Sequence, residues 1–116
     1  TLSANSNNNA TGAFGKCINL KSVTIGEGCT LIRQFTFWGC ELLQEIICLA
    51  TTPPTLNAGF TNTPFASGEG VIYVPDASVE AYKTAQNWNT YVTRVKGISD
   101  LATDNPTLYA EIQQYL

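Results

Sequence analysis

The sequence predicts an α/β solenoid, with chain coils stacked on a ladder of short parallel strands and a C-terminal α/β cap. Three observations predict it. Residues 13–25 recur as residues 36–48: Phe14 matches Phe37, Cys17 matches Cys40, Leu20 matches Leu43 and Val23 matches Ile46, all at an offset of 23. A fixed period in the twenties marks stacked coils that cannot bury their apolar sides alone. Within each copy the apolar spacing changes from three to two, so a tight turn feeds a short strand. Beyond the second copy come a Pro-Pro break and two sets of helix-start residues, Pro75-Asp76-Ala77-Ser78 and Asp104-Asn105-Pro106.

Taken in order, residues 1–12, with the polar run Asn5-Ser6-Asn7-Asn8-Asn9, read as a loose lead-in. Phe14, Cys17 and Leu20 form one stripe of a helical or 3₁₀ turn. Val23 and Ile25 alternate with Ser22 and Thr24, as in a strand with one buried face. Gly26-Glu27-Gly28 turns the chain, and the return leg, 29–35, carries Cys29 and Ile32 inward. The second coil repeats the pattern, with strand 45–48 beside strand 22–25 in a parallel ladder. Pro53 and Pro54 then remove two backbone donors and break the regularity. Strand 71–74 follows, with Ile72 and Val74 placed 26 after Ile46 and Cys48, which implies about three inserted residues in the preceding loop. Residues 13–74 are thus the coils, regular over 13–48 and irregular over 49–74. Residues 75–116 are the cap: a helix over 79–86 with Val79, Tyr82 and Lys83 on one side, aromatic contacts from Trp88 and Tyr91, a strand within 93–98, and a last helix with Asn105 as cap and Pro106 at its first position. Leu108, Ile112 and Leu116 share a face of that helix, joined by Tyr109. The opposite end of the stack has no such device, and the chain opens on Thr1 rather than Met. Further coils before Thr1, or a partner chain, are expected to cover that end, so homo-oligomerisation is one expectation.

Composition narrows the function classes. The 116 residues suit one domain, and 44% hydrophobic residues argue against wholesale disorder. Six Lys and Arg are scattered in a chain of net charge −3, so nucleic acid is not an expected partner. No apolar run reaches the roughly 20 residues of a membrane-spanning helix. There is no histidine, which removes Ser-His and Cys-His dyads and the commonest metal ligand. The nine carboxylates form no metal-type cluster, and Gly26-Glu27-Gly28 and Gly68-Glu69-Gly70 lack the lysine of a phosphate loop. No catalysis, metal or cofactor is expected. Cys17, Cys29, Cys40 and Cys48 fall at apolar repeat positions as buried thiols, with a Cys17–Cys40 bridge between stacked turns as the alternative. Asn9-Ala10-Thr11 is a formal N-glycosylation sequon.

Ala13-Phe14-x-x-Cys17-x-x-Leu20-x-x-Val23-x-Ile25, the Gly26-Glu27-Gly28 turn, and Thr36-Phe37-x-x-Cys40-x-x-Leu43 together resemble the BspA-type leucine-rich repeats. The Ala50-Thr51-Thr52-Pro53-Pro54 break, then Ile72-Tyr73-Val74-Pro75, Ser78-Val79-Glu80-Ala81-Tyr82-Lys83 and Trp88, resemble the C-terminal end of such arrays. The resemblance covers residues 13–98. It implies a short right-handed leucine-rich-repeat coil in a secreted or cell-surface bacterial protein, one that binds surface molecules rather than catalysing a reaction. The expected function is therefore adhesion to a protein or glycan ligand, with a purely structural capping end, or a self-association module, as the alternative. By strand alternation Ser22, Thr24, Glu45, Ile47, Val71 and Tyr73 point away from the coil interior. With Trp38 at a loop position, Ser22, Thr24, Glu45, Ile47 and Tyr73 are the candidate binding residues.

Overall fold

The computed structural model describes residues 2–4, 21–28, 30–32, 40–56 and 64–113. It is a mixed α/β fold on a parallel sheet. Strands β1 (Leu2–Ala4), β2 (Ser22–Ile25), β4 (Glu45–Cys48), β6 (Val71–Val74) and β7 (Val95–Gly97) form a five-stranded sheet in the order β1-β2-β4-β6-β7, parallel throughout. Two shorter strands, β3 (Leu31–Ile32) and β5 (Thr55–Leu56), pair in parallel as a second ladder. The helices are α1 (Val79–Thr84), α2 (Ile98–Asp104) and α3 (Pro106–Ile112), with 3₁₀ turns at Pro64–Ser67, Asp76–Ser78 and Trp88–Arg94.

The register follows the repeat. Val23 pairs with Ile46, the offset of 23, and Ile46 pairs with Ile72, the offset of 26 that the inserted residues require. Alternation then sorts the side chains. Val23, Ile25, Ile46, Cys48, Ile72 and Val74 enter one core with Ile32, Cys40, Leu43, Leu56 and Phe65, and Tyr82, Trp88 and Tyr91 close it. Ile47 and Tyr73, on the other sheet face, enter a second core with Leu49, Ile98, Leu101, Leu108 and Ile112.

Both faces are therefore covered, as is usual for parallel sheets. The sequence expectation of an open outer face is overturned, and the reason is in the strands. Glu45-Ile46-Ile47-Cys48 and Val71-Ile72-Tyr73-Val74 are near-continuous apolar runs, which read as buried on both sides. The cover is the apolar face of α2 and α3.

Local boundaries differ from expectation in three places. The lead-in contributes β1, which pairs with β2 from Leu2↔Val23 to Ala4↔Ile25. The first cap helix ends at Thr84 rather than 86. The expected strand over 93–98 is shorter, because residues up to Arg94 form a 3₁₀ turn and Ile98 already opens α2. The N-terminus of α2 is capped from afar: Asp76 Oδ1 accepts from Ser99 N at 3.1 Å. A Cβ on Gly97 would collide with that same carboxylate, so glycine permits the close approach. The α3 cap is as the sequence predicts, with Asn105 Oδ1 accepting from Leu108 N at 3.1 Å and proline in the first turn.

The loop before β6 is fastened to the cap by Arg94. Its guanidinium donates to Glu69 O and to Phe65 O (2.9 Å) and lies 5.0 Å from the Tyr91 ring centroid. Phe65 is 1% exposed, and Gly70, at φ +88°, lies so close that a Cβ there would sit 2.7 Å from its ring.

Candidate functional site

Of the sequence-predicted binding residues, Thr24, Ile47 and Tyr73 are buried at 1%, 0% and 2% exposure, and they offer no contact surface. Ser22 and Glu45 are half-buried at the strand starts. Trp38 lies outside the described residues, as do Cys17, Cys29, the sequon at 9–11 and Leu116. The sheet places Thr24, Ile47 and Tyr73 in neighbouring rows, since Thr24 pairs with Ile47 and Ile47 with Tyr73. They meet a packed layer rather than solvent.

A polar seam edges this layer. The Tyr73 hydroxyl donates to Asp104 Oδ2 at 2.8 Å, and Lys96 Nζ reaches the same oxygen at 3.1 Å. Asn105 Nδ2 donates to Glu45 Oε2 at 3.0 Å. The Tyr73 and Lys96 contacts hold the Asp104 carboxyl below the usual carboxylate range. Burial, with Asp104 second, pushes the Tyr73 phenol well above its ordinary value. Asp104 therefore adds stability that is present above its unfolded pKa of about 3.9 and lost as pH falls through its lower folded value. Tyr73 has the opposite sign: its contribution is intact below about pH 10 and is lost as the pH rises toward its folded value. Asp104→Asn is expected to flatten the acid limb of a stability–pH profile relative to the parent chain; an unchanged limb would show that the seam does not hold α2 down.

Thr24 Oγ1 is buried and has no hydrogen-bond partner among the described residues. A hydroxyl in that state opposes folding, and its isosteric removal is neutral or favourable. Thr24→Val is expected to keep or raise the urea midpoint, and a drop of more than about 1 kcal/mol would contradict that placement.

The chemically densest region lies at the Pro-interrupted return segment, 50–56. Pro53 and Pro54 have no N–H to give, and the carbonyls here point toward the cap. Side chains from 78–88 meet four of them. Tyr82 Oη donates to Ala50 O at 2.5 Å, Ser78 Oγ to Thr51 O at 2.7 Å, Trp88 Nε1 to Pro54 O at 2.8 Å, and Asn87 Nδ2 to Leu56 O. Asn87 adopts φ 69° to do so, a left-handed conformation that asparagine tolerates better than most residues. The Tyr82 hydroxyl has one proton and directs it to Ala50 O, so the Cys48 thiol, 3.2 Å away, donates to the phenolic oxygen. The Tyr82 and Trp88 rings meet edge to face at 5.0 Å. Ser78, Tyr82 and Trp88 are all buried.

This arrangement binds backbone: each of the four donors goes to a main-chain carbonyl. No cluster of His, Cys, Asp and Glu able to hold a metal occurs among the described residues. No described helix is long and apolar enough to cross a membrane. Comparison of the chain with family models, curated proteins and solved structures gave no match.

Proposed function

We propose that this chain is the closing end of a leucine-rich-repeat-type solenoid, a non-catalytic structural module of a secreted or cell-surface bacterial protein. The observation that carries the reading is the row of side-chain donors on the 50–56 carbonyls. In a continuing stack those carbonyls would meet the next coil. Here Ser78, Tyr82, Asn87 and Trp88 take its place, so the short β3–β5 ladder ends with these four carbonyls paired, while the main sheet runs on to β7. The register of 23 and then 26 residues supports the stacked-coil part of the reading, and the cover over the outer sheet face favours a structural role over ligand capture on that face. The bacterial-surface part rests on the resemblance in residues 13–98.

The other reading is adhesion to a protein or glycan. It loses its broadest surface once Thr24, Ile47 and Tyr73 are buried, and rests on Trp38 and the strand starts at Ser22 and Glu45. Screening the full chain against immobilised glycans and surface proteins separates the two. The structural role predicts no saturable binding. A saturable ligand whose binding is abolished by Trp38→Ala, with the urea midpoint unchanged, would establish adhesion instead.

A further inference from the structure

The segment that the cap fixes carries three threonines that the fold leaves unused. Thr51, Thr52 and Thr55 are exposed, whereas Pro54 and Leu56 between and after them are buried. Among the described residues their hydroxyls take part in no hydrogen bond, while the carbonyls of Thr51 and Pro54 are held by Ser78 and Trp88. The backbone is thus held at two carbonyls while the three threonines remain exposed. Thr51 and Thr52 stand on a bend, Pro53 and Pro54 fix the backbone after it, and Thr55 opens the short strand β5. Thr51, Thr52 and Thr55 line a cleft of about 350 Å³, and Thr55 also lines a second cleft of about 320 Å³.

We propose that Thr51, Thr52 and Thr55 form an O-glycosylation site for a neutral sugar. Exposed threonines on either side of a proline pair have the composition of O-glycosylated segments. The surroundings select the group. Among the described residues neither cleft is lined by Lys or Arg, and the larger is lined by Glu27 with Thr30, Thr51, Thr52 and Thr55. A phosphate would add up to two negative charges next to a carboxylate, with no Lys or Arg among the described lining residues to pair it. A neutral sugar adds none, and its hydroxyls can exchange hydrogen bonds with the threonines and Glu27. In the step, a threonine Oγ1 attacks the anomeric carbon of a diphosphate-activated sugar. The new C–O bond forms as the bond to the diphosphate breaks. The diphosphate leaves with the bonding pair, and the hydroxyl proton passes to the transferase. The proposal goes beyond the closing role and does not need it, because the exposure of the three hydroxyls is independent of what the 50–56 carbonyls replace.

The test is intact-mass measurement of the chain isolated from the cell that naturally makes it, with electron-transfer fragmentation to place any added mass. The expected result is neutral-sugar increments within 51–55. These should be lost in the Thr51→Ala, Thr52→Ala, Thr55→Ala triple variant, with its urea midpoint unchanged. An unmodified mass, phosphate increments on these threonines, or sugar found only elsewhere would overturn the proposal. Failure of the closing role would appear separately, in the stability of cap variants.

Discussion

Trp88→Ala is expected to cost about 3–5 kcal/mol, as for other buried tryptophans, and to lower the urea midpoint more than any other single change in the cap. Trp88 is fully buried, stacks edge to face on Tyr82 and donates to Pro54 O. Two effects are combined in that loss, and Trp88→Phe separates them. Phenylalanine keeps an aromatic ring in the pocket but has no N–H, so Pro54 O stays buried without its donor. That alone is expected to cost about 1–3 kcal/mol. Equilibrium urea unfolding followed by far-ultraviolet circular dichroism reads both. If Trp88→Phe matched the parent chain, packing alone would account for the position and the donor would be incidental.

The second large effect is at Leu101. It is fully buried between α2 and the sheet, in the core that holds Ile47, Tyr73, Leu108 and Ile112. Leu101→Ala is expected to cost about 2–5 kcal/mol through lost transfer energy and the cavity left behind. The consequence also reaches the strands beneath, because loosening α2 uncovers Ile47 and Tyr73. Amide hydrogen exchange should therefore accelerate in β4 and β6 as well as in α2. Faster exchange confined to α2 and α3 would mean that the cover is an independent appendage. The Asp76 contact to Ser99 N argues against that, since it anchors the start of α2 to the turn before α1.

Much of this fold is legible in the residues. The offset of 23 between Val23 and Ile46 is a direct statement of strand register, because the two residues are partners in the parallel ladder. The three added residues before Ile72 are legible for the same reason. The Asn105-Pro106 start of α3 follows from local chemistry, an acceptor for an orphan N–H and a residue that needs none. Other features depend on partners distant in sequence. Ile98-Ser99-Asp100 has no local cap and follows a strand, so nothing nearby marks a helix. Its cap is Asp76, 23 residues earlier. The short second ladder, β3 with β5, is too brief for any periodicity to report.

The candidate site was legible in part. Tyr82, Trp88 and the polar Ser78 are visible as cap residues, but their donors to three carbonyls of 50–56, and that of Asn87 to a fourth, depend on three-dimensional proximity across 27 to 34 residues. The exposed-face expectation failed at Thr24, Ile47 and Tyr73 although the warning was present in the sequence. Ile47 and Tyr73 are poor choices for a solvated face, and Leu108 and Ile112 present an apolar stripe that has to be buried somewhere. Pairing those two observations places α3 on the sheet.

The central claim is that side-chain donors from 78–88 close the ladder in place of a further coil. The most direct test is the urea midpoint of the triple variant Ser78→Ala, Tyr82→Phe, Trp88→Phe, which removes three donors while preserving most of the packed volume. Each buried acceptor left unmatched should cost about 1–3 kcal/mol, so the account predicts a combined loss of several kcal/mol. A triple variant as stable as the parent chain would contradict it, and the hydrogen bonds across 50–56 would then be a by-product of packing.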